Sequence, residues 1–200
     1  MASRQPLAQA VFALEIRAMV LPGHLAGGFL ATKLLLFIGG AVFAPAQMTA
    51  LYVIGLIASE GPDFDLIKFF FEHRSMKLQK ADSHRKYWSH APLVWLMASL
   101  TIVLAGYIAG SQFTSYIGWT ILFGSWSHFI FDSIEYGIMW LWPFSKKPFY
   151  LHTAPVENID ERKGTLAYYW TFIWKYYLRL WTFYLEIAVI LLALWVLFSD

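Results

Sequence analysis

The sequence contains no cysteine, which excludes a disulfide framework and any metal site built from thiolates. Charged residues are also scarce, at 14% of the 200 residues, whereas they make up about 25% of soluble domains. Hydrophobic residues make up 58%, and the 10 Trp and 11 Tyr favour membrane–water interfaces. We therefore expect a single integral membrane domain over residues 1–200, of the all-α class, and no nucleic-acid partner.

Five apolar stretches, two of them marginal in length, could cross a hydrocarbon core that takes about 20 helical residues to span. They cover residues 24–43, 47–60, 91–110, 114–135 and 170–198. We expect a polytopic membrane helical bundle of about five transmembrane helices, with polar loops at 63–90 and 143–165. Residues 1–22 could form a helix that lies on the membrane surface, or an ordinary helix packed on the bundle.

The basic residues indicate how such a bundle is oriented. When the chain is threaded through the membrane five times, every Lys and Arg except Lys33 falls on the side of the two polar loops. Because basic residues concentrate in cytoplasmic loops, we expect these loops and the N-terminus to be cytoplasmic. The C-terminus is then expected on the outside.

The same threading brings histidines and carboxylates from several helix ends to the cytoplasmic side. The stretch "GSWSHFIFD" carries His128 and Asp132 one helical turn apart, and Glu135 shares their helix face. The other members are His24 at the start of the first helix, Asp63 and Asp65 in "GPDFD", and His84 and His90 in "HRKYWSH".

This residue set is typical of a divalent metal site. Ionisable groups near the bilayer are costly and usually functional. Imidazole and carboxylate ligands suit zinc first, and manganese or iron are also compatible, so we expect one or two such ions. Simpler roles exist for each residue taken alone. A histidine can anchor at the interface, Asp63 and Asp65 can cap a turn, and His128 and Asp132 can form a structural pair.

At these motifs the chain resembles the YdjM-like family of bacterial and archaeal membrane proteins, described as membrane-bound metal-dependent hydrolases. The similar stretches are "LPGHLAGGFLATKL", "GLIASEGPDFD", "HRKYWSHAPL" and "SHFIFDSIEYGIMWLWPFS", within roughly residues 20–150. The resemblance implies an integral protein of the cell (inner) membrane with metal-dependent hydrolase activity.

A weaker resemblance, in ligand order alone, is to the zinc-dependent phospholipase C and P1 nuclease superfamily. It implies that Asp63, His128, Asp132 and one of His84 or His90 hold one metal. It also implies that His24 binds a second metal, shared through Asp132. This resemblance points to cleavage of a phosphoester.

We therefore expect a hydrolase that cleaves a phosphoester or ester bond of a lipid-like substrate at the cytoplasmic membrane face. Asp65 and Glu135 are candidate general bases. Arg85 and Lys86 are candidates to hold an anionic headgroup, and topology-setting charge explains them equally well. The alternative is a non-enzymatic metal-binding membrane protein or a metal transporter. Ligands at helix ends, not at the membrane midplane, favour the enzyme.

The orientation gives a first prediction. A reporter fused after Asp200 should be external, and one inserted near Gln79 should be cytoplasmic, because the basic loops lie on one side. Paired alkaline phosphatase and green fluorescent protein fusions measure this. Fusions that report the same side at both positions would rule out an odd number of spans between them.

Overall fold

The computed structural model describes residues 21–74, 84–135, 137–152 and 164–199, and their regular secondary structure is helical apart from an isolated antiparallel bridge between Ile138 and Phe149. We number the α-helices of the described residues α1 (Leu21–Gly39), α2 (Pro45–Glu60), α3 (Asp65–His73), α4 (Pro92–Ile108), α5 (Gln112–Glu135), α6 (Thr165–Lys175) and α7 (Trp181–Phe198). Short 3₁₀ turns lie at Gly61–Phe64, His84–Lys86, Trp88–His90 and Tyr177–Arg179. The prediction of an all-α fold is confirmed.

Proline and glycine set several of the helix boundaries. Pro45 and Pro92 occupy the first helical positions of α2 and α4, where their missing N–H costs nothing. Gly40 and Gly110 follow α1 and α4 with positive φ angles of 58° and 64°, a conformation that favours glycine. The connections between α1 and α2 and between α4 and α5 are therefore short, and the two helices that each one joins run in opposite directions.

Helix α5 lies at the centre of the bundle and packs against α1, α2 and α4, while α7 packs against α1. Glycines allow the close approach of α1, α2 and α5. A Cβ atom added at Gly28 of α1 or at Gly124 of α5 would lie 2.8 Å from the same carbonyl oxygen, that of Gly55 in α2. Small residues at such crossings let helix backbones come together.

Two helices of the described residues are long and apolar enough to cross a membrane, Pro22–Gly39 and Trp181–Phe198; Pro92–Ile108 is a shorter apolar helix. The outer faces of α1 and α7 carry exposed large hydrophobic side chains, among them Phe37, Ile38, Leu191 and Trp195. The expected five spans are not confirmed. Helix α2 has 16 residues and reaches only about 24 Å at about 1.5 Å per residue. Helix α5 has 24 residues, but its Ser, Thr, His and Asp residues lower its mean hydropathy.

Two predicted boundaries differ from the structure. The expected helix 170–198 is divided, because the chain turns at Tyr177–Arg179 and Leu180 is extended before α7 begins. Tyr168, Phe172 and Tyr177 pack there as a small buried cluster. The expected loop 63–90 contains α3 and two 3₁₀ turns. The region 1–22 lies outside the described residues except for its last two positions.

The shared contact at the Gly55 carbonyl gives a second prediction. Gly124→Ala places a methyl group against the backbone of α2, and overpacking of this kind costs about 1–3 kcal/mol, offset in part by about 1 kcal/mol of helix propensity. Thermal unfolding in detergent should show a lower midpoint. Gly164→Ala is the control, because a Cβ there meets nothing within 4 Å. Equal midpoints for the two variants would contradict the packing described here.

Candidate metal centre

The six predicted metal ligands lie together at one end of the bundle. His24 is in the first turn of α1, and His128 and Asp132 are in the last turns of α5. Asp63 lies in the 3₁₀ turn after α2, where Gly61-Pro62 redirects the chain. His84 and His90 lie in the two turns that precede α4. Together with Asp65, they form two groups whose donor atoms lie within 4.8 Å of one another: His24, His128 and Asp132, and Asp63, Asp65, His84 and His90.

His128 is held in the orientation of a metal ligand. Its Nδ1 lies 2.7 Å from the Ser59 carbonyl oxygen, so Nδ1 carries the proton and donates it to the end of α2. The other ring nitrogen, Nε2, then presents a lone pair. It lies 3.6 Å from Asp132 Oδ2 and has no hydrogen-bond partner. A backbone carbonyl that fixes the tautomer in this way is usual for metal-binding histidine.

His24 completes the first group. Its ring stacks on the His128 ring with centroids 4.1 Å apart, and its Nε2 lies 3.6 Å from Asp132 Oδ1. All three side chains are buried, yet neither ring nitrogen of His24 nor Asp132 Oδ1 has a hydrogen-bond partner. A buried polar atom without a partner costs about 1–3 kcal/mol. A cation bound between them would satisfy these atoms together.

The second group adjoins the first. His84 Nε2 lies 3.2 Å from Asp63 Oδ1, which is also 3.7 Å from His128 Nε2. His90 Nδ1 lies 3.2 Å from Asp65 Oδ2, and His90 Nε2 lies 3.3 Å from Asp132 Oδ2. Asp63 and Asp132 therefore link the two groups into one continuous cluster.

The spacing of these atoms fits a metal ion. Zinc bonds of about 2.0–2.1 Å in a tetrahedron place neighbouring ligand atoms about 3.3–3.4 Å apart. The distances from Asp63 and Asp132 to the imidazole nitrogens of the cluster run from 3.2 to 3.7 Å. The residues are thus spaced for coordination, with nitrogen and oxygen donors that suit zinc, manganese or iron.

Arg85 lies inside the cluster instead of at its surface. Its Nε donates a hydrogen bond of 2.7 Å to Asp132 Oδ2, and the side chain is buried. The guanidinium stabilises the buried carboxylate and competes with a cation for Oδ2, whereas Oδ1 stays open towards His24. Lys86 is exposed. The substrate-binding roles of Arg85 and Lys86 remain predictions.

Protonation differs between the two histidines that lie outside the helices. Burial and then the positive charge of Arg85 lower the pKa of His84, so this ring is neutral and ready to bind a metal. Burial alone would lower the pKa of His90, but hydrogen bonds with Asp132 and Asp65 raise it to about 9. A metal ion that binds His90 Nε2 must therefore displace a proton.

The other predicted residues have different surroundings. Asp65 accepts hydrogen bonds from Ser89 Oγ at 3.1 Å and from the ring of His90, a candidate ligand that it thereby orients. The other oxygen of Asp65, Oδ1, has no hydrogen-bond partner. Glu135 ends α5, and its side chain lies outside the described parts of the chain. Sequence reasoning missed Glu60, which is buried and has no partner for Oε1. Its place next to Gly61-Pro62 made it look like an ordinary helix end.

The fold and the cluster define a helical membrane protein whose buried histidines and aspartates could bind a metal ion. The family of YdjM inner membrane proteins matches residues 19–200, and the chain belongs to this family. No curated protein and no solved structure matches the chain. The match confirms the resemblance to the YdjM-like family and extends it through α7, whereas the resemblance to the phospholipase C and P1 nuclease superfamily remains a prediction.

The cluster gives a third prediction. Purified protein should carry about one or two divalent ions, and His128→Ala or Asp132→Ala should retain far less metal than the wild type, because each change removes a predicted ligand atom. Elemental analysis after gel filtration measures this. His152→Ala is the control because His152 is exposed. Equal metal loss in all three variants would show general misfolding and would leave the assigned ligands without support.

Proposed function

We propose that this protein is a metal-dependent hydrolase that cleaves a phosphoester or ester bond of a lipid-like substrate at the cytoplasmic membrane surface. The observation that carries the proposal is the pair of adjoining His/Asp groups, which Asp63 and Asp132 link. Two groups linked by carboxylates are the arrangement expected of a site for one or two metal ions. Ion pairs with only a structural role would not require buried histidine nitrogens that lack hydrogen-bond partners.

Each residue has a part in this chemistry. Asp132, His24 and His128 would hold one ion, and Asp63, His84 and His90 would hold a second or complete the first. A divalent ion bound there supplies acidified water near neutral pH and stabilises negative charge that develops on the substrate. Arg85 keeps Asp132 ionised, and Asp65 keeps the His90 ring in place.

Access to the cluster is best at Asp63. Its side chain is 24% exposed, whereas those of His24, His90, His128 and Asp132 are at most 1% exposed. Water and substrate would therefore reach the cluster from the turn after α2, and the buried ligands behind it would exclude bulk water. In the expected five-span topology, this turn would lie close to the level of the lipid headgroups.

Two carboxylates close to Asp63 in the chain are candidate proton acceptors. Asp65 Oδ1 and Glu60 Oε1 are buried and have no hydrogen-bond partner. Either carboxylate could accept the proton that water loses during hydrolysis. Glu135 keeps the role of candidate base as a prediction from the sequence.

The second candidate function is a metal-binding membrane protein without hydrolase chemistry, either a structural module or a metal transporter. The buried Arg85–Asp132 pair favours it, because a guanidinium already neutralises the central carboxylate. Turnover of a generic phosphodiester dye or of lipid phosphoesters by purified, metal-loaded protein distinguishes the two. Metal binding without turnover of either kind of substrate would favour the second candidate.

The role of Asp132 gives a fourth prediction. Asp132→Asn keeps the shape of the side chain but removes the charge that links both groups, so hydrolysis should fall at least about 100-fold. Asp65→Asn leaves the six predicted ligands in place, and Glu60 could still accept a proton, so this variant should retain measurable activity. Activity is measured in detergent with added zinc or manganese.

The control for this prediction addresses folding. Asp132→Asn leaves Arg85 buried without its carboxylate, and breaking such a pair can cost about 3–5 kcal/mol. The double variant Asp132→Asn/Arg85→Gln removes both charges, so it should purify as a single species and still be inactive. Full activity in either variant would exclude Asp132 from the site.

A further inference from the structure

Glu186 is a buried carboxylate in the second turn of α7, a helix that is otherwise uncharged and is apolar enough to cross a membrane. It is the only charged residue of α7, and only 2% of its surface is exposed. A carboxylate in a segment able to cross the membrane is costly and is usually kept for a function. Its contacts show what that function could be.

Both oxygens of Glu186 accept hydrogen bonds from other parts of the chain. The backbone N–H of Gly23 donates to Oε1 at 3.0 Å, and the hydroxyl of Tyr177 donates to Oε2. Gly23 lies in the first turn of α1, where N–H groups lack partners within the helix and a negative charge is favourable. The last helix thus supplies a cap for the first one.

The residue at position 23 must be glycine for this contact to form. A Cβ atom there would lie 2.7 Å from Glu186 Cγ and 2.8 Å from its Oε1. The close approach therefore fixes the start of α1 against α7 within a narrow range. Tyr177 is itself held between the Phe172 and Phe183 rings, with centroids 5.9 and 5.2 Å away.

The next residue after Gly23 is His24, a member of the first ligand group. Neither ring nitrogen of His24 has a hydrogen-bond partner, so its ring is placed by packing against His128 and Phe131 and by its own backbone. A small rotation of the first turn of α1 would carry Nε2 away from Asp132 Oδ1. The hydrogen bond to Gly23 opposes that rotation.

We propose that Glu186 is a positioning residue, whose carboxylate holds the first turn of α1 and so holds His24 at the metal centre. The inference depends on the metal site of the proposed function, and it gives α7, which contributes no metal ligand, a part in that site. Glu186 acts through the backbone of Gly23 and does not itself bind the metal.

The test is a double-mutant cycle on zinc affinity, measured by competition with a chromophoric chelator on detergent-purified full-length protein. Glu186→Ala should weaken zinc binding about 10-fold, the lower end of the range for residues that support metal ligands. In a His24→Ala background the same change should cause no further loss, because the two residues act through one contact. Leu191→Ala is the matched control, since this residue of α7 is 60% exposed.

A conservative variant separates positioning from general support of the fold. Glu186→Gln keeps an acceptor for the Gly23 N–H and loses the charge, so its affinity should stay within about five-fold of the wild type. If Glu186→Ala does not elute as one monodisperse species, Glu186→Asp replaces it in the cycle, because its shorter side chain cannot reach Gly23.

The possible outcomes are distinct. A wild-type protein that binds no zinc would remove the metal site, and the inference with it. Zinc binding that Glu186→Ala leaves unchanged would overturn the inference alone. An equal loss with and without His24 would also overturn it, because Glu186 would then support the fold as a whole.

Discussion

The buried carboxylate of Asp132 is the constraint on which the rest of this end of the molecule depends. One of its oxygens faces His24, and the other lies within 2.7 to 3.6 Å of nitrogens from Arg85, His90 and His128. A carboxylate removed from water costs several kcal/mol unless such partners surround it. The partners come from α1, from the turns before α4 and from α5 itself, so Asp132 fixes three segments relative to one another.

The bundle must bring its backbones unusually close for these side chains to meet. Gly28 and Gly124 approach the Gly55 carbonyl from two sides, and this contact draws α1, α2 and α5 together. The end of α2 is then near enough for Ser59 to accept the hydrogen bond from His128. The glycine contacts at the helix crossings therefore also position the Ser59 carbonyl that fixes the tautomer of His128.

Much of the site could be predicted from the sequence, because its residues stand at helix ends that a membrane threading brings together. His128 and Asp132 are one turn apart, a spacing that places them on one helix face whatever the rest of the chain does. The helix boundaries near Pro45 and Pro92 also follow from local chemistry. The matched family confirms an inner membrane protein.

Other features depend on contacts between distant segments and could not be predicted. Arg85 looked like a surface residue beside His84, and only the packing of its turn against α5 shows that it pairs with Asp132. Glu186 stands 163 residues from Gly23, and no periodicity links the two. The division of the expected helix 170–198 likewise follows from the packing of Tyr168, Phe172 and Tyr177, since no proline or glycine marks it.

The central claim is that His24, His128 and Asp132 hold a metal ion. An anomalous difference map, recorded at the zinc absorption edge from crystals of zinc-loaded protein, tests it most directly. The account predicts a peak about 2.0–2.2 Å from His24 Nε2, His128 Nε2 and Asp132 Oδ1. A map without a peak among these three atoms, or with a peak only at the exposed His152, would contradict it.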